Sequence, residues 1–316
     1  MAAKLQRSEN VKRATIQDVA RAAGVSASTV SHVLNGTAPI SDETKARVMA
    51  AVEALQYYPN LSARSLRKKR TNVIGLLMQD MTSLFYAIAY ERLLVRAQQE
   101  GYLLTIMCGH WDSNLNAKNI DSLIEHQADG LIAMGSSVQE ADLKKASERG
   151  LQIVLCDQYS PEFASVEYNN YTTMRRLVHC FAADGYRRIS YVCTNLRRQD
   201  STVQRYRGYM QGMSDEGFDP EKLLITLDLK ESKYFRWSKQ FDRFTNFLDA
   251  TPREQWPEIV LCEHDAIAQA VVYSAVRRGI RIPEEIQVFG FDDTSHAVLT
   301  TPKLSTVRQD SERLAD

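Results

Sequence analysis

Thr15-Ile-Gln-Asp-Val-Ala-Arg-Ala-Ala-Gly-Val-Ser-Ala-Ser-Thr-Val-Ser-His-Val-Leu-Asn-Gly36 reads as two short helices joined by a tight turn, the arrangement of a helix-turn-helix DNA reader. Thr15 is a cap for the first helix, Asp18 suits its positive end, and Ile16, Val19 and Ala20 share one apolar face. Gly24 supplies the turn. Ser26 is a second cap, Val30, Val33 and Leu34 form the inward stripe of the second helix, and Gly36 ends it. Ser28, Thr29, Ser31, His32 and Asn35 are left facing outward. A third helix is expected from Ser41 to about Tyr57, with Asp42 and Glu43 in its first turn and Ala46, Val48, Met49, Val52 and Leu55 available for packing. Pro59 breaks it, and Asn60 can cap a short segment from Leu61 to Arg67 that runs into the basic stretch Arg67-Lys-Lys-Arg70.

The run continues through Ser41-Asp-Glu-Thr-Lys-Ala-Arg-Val-Met and Leu55-Gln-Tyr-Tyr-Pro-Asn-Leu-Ser-Ala-Arg-Ser-Leu66, and as a whole it closely resembles the headpiece of the lactose-repressor and galactose-repressor family of bacterial transcription factors. The resemblance implies that Ala27, Ser28 and His32 read base edges in the major groove, while Ser26, Thr29, Ser31 and Asn35 contact phosphates. It also makes residues 60–70 a hinge helix. There Ala63 permits two such helices to cross, Leu66 wedges into the minor groove and Arg67 approaches the backbone. Many relatives carry arginine at the position of His32. The partners so implied are double-stranded operator DNA and a second copy of the chain, as a homodimer or higher assembly, on a near-palindromic operator.

Bulk composition alone points elsewhere. The formal net charge is zero, from 39 Lys plus Arg against 39 Asp plus Glu. The charge is nevertheless uneven: residues 1–70 hold 5 Lys and 7 Arg against 5 acids, a net of +7, and the rest of the chain carries −7. The five cysteines, Cys108, Cys156, Cys180, Cys193 and Cys262, lie far apart, mostly at the ends of apolar runs. They are expected as buried free thiols, with neither a disulfide framework nor metal-ligand spacing. The N-terminus lacks the apolar core of an export signal and no run has the length of a membrane span, so a cytoplasmic protein with no membrane partner is expected.

From Asn72 onward, apolar runs of strand length alternate with amphipathic segments in two series, Val73 to Cys156 and then Tyr171 to Phe291. Nearly continuous apolar strands between helices argue buried parallel sheets with right-handed crossovers, and two series argue two lobes. Gly185-Tyr-Arg-Arg-Ile189, Arg205-Tyr-Arg-Gly-Tyr209, Arg278-Gly-Ile-Arg-Ile-Pro283, Phe289-Gly-Phe-Asp-Asp293 and Pro302-Lys-Leu-Ser-Thr-Val307 also resemble the family's core, which is similar to periplasmic sugar-binding proteins. The fold class expected is therefore a small all-α helix-turn-helix headpiece and hinge helix joined to an α/β periplasmic-binding-protein-like core of two parallel-sheet lobes. Its domains are a headpiece at 1–59, a hinge at 60–70 and a ligand-binding and dimerisation core at 71–316, with lobe 1 over about 71–167 and 294–316 and lobe 2 over about 168–293. Relatives extend further, so a truncated C-terminus is also expected.

By the same resemblance a small-molecule effector, a sugar or related metabolite, binds between the lobes. Arg205 and Asp292 become its polar anchors, Phe85 and Tyr86 line the cleft, His264 occupies a variable ligand-facing position, and Trp237 is a further aromatic candidate. The family's Asp-Asn motif near the start of lobe 2 stands here as Tyr168-Asn169-Asn170, and its Asn-Asp as His264-Asp265. The function implied is an effector-controlled transcriptional repressor with no cofactor, no metal and no catalytic residue. A solute-binding protein of a transport system is the alternative. A nucleotide-dependent enzyme is disfavoured by the absence of G-x-G-x-x-G after a strand and of a phosphate loop.

Overall fold

Thr15 starts the first helix with more than one bond. In the computed structural model its hydroxyl accepts the Asp18 N–H at 3.3 Å while the Asp18 carboxylate accepts the Thr15 N–H at 2.9 Å, a reciprocal capping box. The structure describes residues 14–58, 70–79, 81–110, 112–135, 138–194, 201–227 and 237–316, with the side chains of 237–242 left aside. The chain divides into two compact units, 1–71 and 72–316.

In the first unit, α1 (Ile16–Ala23) ends at Gly24, whose φ of +65° turns the chain sharply. Ser26 then caps α2 (Ala27–Asn35), accepting the Thr29 N–H at 3.1 Å. Ser41 caps α3 (Asp42–Ala54) in the same way. Val19, Val30 and Val48, one from each helix, are fully buried at the centre with Ala20, Ala23, Ala51 and Tyr57, and Val33 and Leu34 pack at the margin. The third helix is shorter than its sequence suggests. Ala46 and Leu55 are exposed and Met49 is 52% exposed, because a bundle of three short helices buries one stripe of α3, and Val48, Ala51 and Val52 fill it. Most of the expected hinge, 60–69, with Ala63, Leu66 and Arg67, lies outside the described residues.

The second unit contains two five-stranded parallel sheets. The first is built from β1 (Val73–Met78), β2 (Leu103–Cys108), β3 (Gly130–Met134), β4 (Gln152–Cys156) and β5 (Ala164–Val166), in spatial order β2-β1-β3-β4-β5. Leu76 lies opposite Ile106 on one side and Ile132 on the other. Helices α4 (Leu84–Gln99), α5 (Ser113–Glu125) and α6 (Glu140–Glu148) cover it. Alternate strand residues feed opposite faces: Leu77, Leu131 and Leu155 pack on Ile120, Leu123 and Leu143, while Leu76, Met78 and Met134 pack on Phe85 and Ala89.

The second sheet runs β10-β9-β8-β6-β7, from β6 (Ile189–Cys193), β7 (Leu224–Thr226), β8 (Ile259–Cys262), β9 (Gln287–Asp292) and β10 (Ser305–Arg308). Around it lie α7 (Asn170–Ala183), α8 (Ser201–Asp215), α9 (Trp237–Ala250), α10 (Asp265–Val276) and the short α11 (Ser295–Leu299). Gly208 of α8 lets α7 come close, since a Cβ there would stand 2.2 Å from the Tyr171 carbonyl oxygen. Each sheet thus has helices on both faces, which explains why its central strands read as unbroken apolar runs.

One boundary needs correcting. The sequence reading assigns 294–316 to lobe 1, but β10 pairs with β9 in the second sheet, and Leu304 and Val307 join that lobe's cores. Only the last helix, α12 (Ser311–Ala315), returns to the first lobe, where Leu314 packs beside Phe85 and Ala89. Cys180 also departs from expectation: it is exposed on α7, whereas Cys156, Cys193 and Cys262 are buried. No helix among the described residues is long and apolar enough to cross a membrane.

Candidate functional site

Two groups of polar residues stand out, one in each unit. On the first unit, the outer face of α2 carries the residues singled out by sequence, and short side-chain bonds organise them. The Ser26 hydroxyl lies 2.7 Å from that of Ser28 and 2.8 Å from that of Thr29. Asn35 turns its amide back to the Ser31 carbonyl at 2.7 Å, and His32 Nδ1 meets the Thr37 hydroxyl at 2.9 Å. Ser26, Ser28, His32 and Asn35 are exposed, while Ala27, Thr29 and Ser31 are half-buried. The face carries hydroxyl, amide and imidazole groups. It suits hydrogen bonding to base edges and phosphates.

In the second unit, polar side chains gather where strands end. Asp157 follows β4, Thr194 follows β6, Glu263 follows β8 and Asp292 closes β9. All four belong to parallel strands pointing the same way within each sheet, so their carboxyl ends place them at the edge where open α/β sheets take ligands.

Arg205 of α8, only 3% exposed, is the centre of this group. Its Nε donates to Asn170 Oδ1 at 2.8 Å, one terminal nitrogen donates to the Glu263 carbonyl at 2.6 Å, and the other lies 3.6 Å from Asp292 Oδ1. The guanidinium carbon sits 3.9 Å above the Phe291 ring, a cation–π contact that adds attraction without needing a further acceptor. The Asp292 carboxyl is raised to about 7, chiefly by burial, with Arg205 opposing the rise and nearby Asp265 adding to it. The Gln309 amide also donates to Asp292. Asp292 has a φ of +112°, outside the usual range for a residue with a side chain, so strain collects at the same point.

Supporting bonds hold this group in place. Glu263 accepts from the Thr194 hydroxyl at 2.8 Å and from the Thr194 N–H. Asp265 accepts the Thr294 N–H at 2.7 Å and the hydroxyls of Thr294 and Thr306, and burial raises its carboxyl as well. Gly290 leaves room for that carboxylate, because a Cβ there would come within 2.2 Å of Asp265 Oδ1.

Asp157 connects the lobes. Its Oδ2 accepts from Tyr86 of α4 at 2.9 Å and from Ser201, the first residue of α8, at 2.8 Å. Tyr86 thus stands at the junction, half-buried. Phe85 does not: it is 5% exposed in the first lobe's core, with Tyr86 and Tyr168 rings at 5.3 and 6.5 Å, and acts as packing behind Tyr86 rather than as an open wall. His264 is half-buried at the cap of α10, Nδ1 facing the Ile267 N–H at 3.4 Å, next to Glu263. Trp237 opens α9, and its side chain is outside the described set. Asp157, Glu263 and Gln309 are not among the residues expected from the sequence, and Asn170 figures there only within Tyr168-Asn169-Asn170. The available signal was position: polar residues immediately after apolar parallel strands, as in Leu155-Cys156-Asp157 and Leu261-Cys262-Glu263.

Among the described residues no group of three or more His, Cys, Asp or Glu side chains is placed to hold a metal ion.

Known proteins match both units. The model of the family described as bacterial regulatory proteins, lacI family, matches residues 15–60, and that of a periplasmic binding protein-like domain matches 178–316. The HTH-type transcriptional repressor PurR of Photorhabdus laumondii is 31% identical over 311 residues, covering 95% of this chain and 87% of its own length. The ribose operon repressor of Haemophilus influenzae is 30% identical over 309 residues, covering 95% of this chain and 88% of its own. In fold, the chain is similar to a crystal structure of the lac repressor dimer bound to operator and the anti-inducer ONPF, with a TM-score of 0.82 at 22% identity, over 96% of this chain and 90% of that one.

Proposed function

Because this chain belongs to the lacI family of bacterial regulatory proteins, we propose that it is a sequence-specific DNA-binding transcriptional repressor whose operator affinity is set by a small molecule held between the two lobes of its core. The observation that carries this reading is the capped α1–Gly24–α2 pair, with an ordered polar face on α2, lying within the matched residues. A transport binding protein has no use for such a unit.

In detail, residues 1–59 form the headpiece, 60–70 the hinge and the remainder the effector-binding and dimerising core. Ala27, Ser28 and His32 face bases, and Ser26, Thr29, Ser31 and Asn35 face phosphates. Ala63, Leu66 and Arg67 enter the minor groove when two subunits meet on a near-palindromic operator. The effector lies against Arg205, Asp292, Tyr86 and His264. A guanidinium keeps five N–H donors in a fixed fork, and buried carboxylates beside it accept from hydroxyls, a combination suited to a sugar or related polyhydroxylated metabolite. Asp157, bonded to both lobes, is placed to feel any change in their angle. The protein acts by binding rather than turnover, in the cytoplasm.

Selection from a random duplex library at fixed, near-physiological salt tests the reading. The expected result is one near-palindromic motif, lost on replacing residues 15–36 by an unrelated helical pair. Binding of equal strength to all sequences overturns it.

A further inference from the structure

His32 is the one residue on the reading face with an imidazole ring, and what it presents to DNA depends on which ring nitrogen is occupied from behind. The structure supplies that partner. After α2 the chain reverses through Gly36 at φ +63°, a conformation that favours glycine, and both Gly36 and Thr37 turn their N–H groups back to the His32 carbonyl. That reversal brings the Thr37 hydroxyl to 2.9 Å from His32 Nδ1. Thr37 is therefore bound to His32 twice, once by backbone at 3.3 Å and once by side chain. Only the second bond involves the ring.

Resting on the DNA-reading function above, we propose that Thr37 is a specificity-positioning residue: its hydroxyl donates to His32 Nδ1, fixing the ring's rotation and tautomer so that Nε2–H is presented as a donor to the major groove. A hydroxyl has one hydrogen to give and rotates freely to place it. With Nδ1 accepting, the neutral imidazole must carry its proton on Nε2. A lone donor at this position matches an acceptor edge, and guanine, which shows N7 and O6 with no donor beside them, is the edge it fits best. Cytosine, which offers its N4 amino donor, is the edge it refuses. Thr37 itself contacts no base in this scheme. Its effect on sequence choice passes wholly through His32.

The exposed position of Thr37 argues for this role over a structural one. The turn is already closed by the two backbone bonds and by Gly36, none of which needs the hydroxyl. Removing the hydroxyl leaves the fold of the headpiece intact and frees the ring.

The test is a comparison of base preference, position by position, by library selection on the full chain and on Thr37→Ala, Thr37→Ser, His32→Ala and the Thr37→Ala/His32→Ala double variant. Circular dichroism on each verifies helix content. His32→Ala is expected to flatten preference at one position of each half-site, where the unaltered chain selects guanine on one strand. Thr37→Ala is expected to weaken preference at that same position several-fold, Thr37→Ser to restore it, and the double variant to match His32→Ala alone. An equal loss of affinity on all sequences, a shift at another position, or a Thr37→Ala effect that persists without His32 overturns the proposal, as does selection of cytosine facing His32. Failure of the unaltered chain to select any motif sinks the DNA-reading function instead, so the two failures are distinguishable.

Discussion

The polar face of α2 and the polar group around Arg205 solve opposite problems. On α2 each residue is organised by a neighbour two to five positions away: Ser26 by Ser28 and Thr29, Asn35 by Ser31, His32 by Thr37. Water remains available to all of them, so a missing bond costs little. Around Arg205 the partners come from Asn170, Glu263 and Asp292, 35 to 87 positions distant, and Arg205 itself is buried. There a missing bond leaves a buried charge or carbonyl with no substitute. The first site is local and forgiving, whereas the second is assembled by the whole fold and couples binding to stability.

The sharpest break of that contrast is Arg205→Ala. Removing one member of a buried ion pair leaves Asp292 and the Asn170 and Glu263 oxygens behind, and losses of about 3–5 kcal/mol are typical. Chemical denaturation followed by core tryptophan fluorescence should show a loss in that range for unit 72–316, together with loss of effector response. Operator selectivity of any folded fraction should be unchanged. A variant as stable as the parent would show that the pair is dispensable and the site less buried than described.

Protonation sharpens the same contrast. The Asp292 carboxyl is raised to about 7 in the fold, chiefly by burial, against an ordinary value near 4 when unfolded. Between those values the folded state binds more protons than the unfolded one, so this group's contribution is fully present below about pH 4 and is lost as pH rises through about 7. The slope for one proton is at most about 1.4 kcal/mol per pH unit. The difference in unfolding free energy between the parent and Asp292→Asn should therefore change between pH 5 and 7, the parent losing ground as pH rises. Parallel curves would remove Asp292 as the titrating group.

Packing gives a milder case. Gly208→Val places atoms against the Tyr171 carbonyl and Met174, and must push α7 off α8. Overpacking of this kind costs about 1–3 kcal/mol. Calorimetry should show the core transition lowered and the headpiece's own transition unmoved. A shift in both would mean that the units unfold together.

The same division explains what could be read from the amino-acid order. The helix-turn-helix was legible because caps, stripe and turn all lie within Thr15 to Gly36. So were β1 to β4, where Val73-Ile-Gly-Leu-Leu-Met78 and its counterparts are continuous apolar runs. The edge strands β5 and β10 were not, since Ala164-Ser-Val166 and Ser305-Thr-Val-Arg308 are short and half-polar and pair on one side only. With the apolar series ending at Phe291 and β10 not recognised as a strand, 294–316 was placed in lobe 1, whereas β10 pairs in the second sheet. Within the core site, Arg205 and Asp292 came from resemblance. Asp157 and Glu263 carried only the sign of a polar residue following an apolar strand, and Asn170 only its place in Tyr168-Asn169-Asn170, because their partners are fixed only when sheets, lobes and helices have assembled.

The smallest effect tests the headpiece's local character directly. Thr15→Ala removes the hydroxyl that accepts the Asp18 N–H, and it also takes away the Thr15 hydroxyl's own 2.7 Å bond to the Asp18 carboxylate. The carboxylate can still accept the Thr15 N–H, so half of the capping box survives. Loss of a cap costs about 0.5–2 kcal/mol, and with that half retained the effect should fall near the lower end. Hydrogen exchange should report it as faster exchange confined to the first turn of α1, with the amides around Val19 and Val30 protected as before. If protection instead fell across all three helices, the headpiece would be a single cooperative unit with no stability to spare, and its reading face would depend on assembly as much as the buried site does.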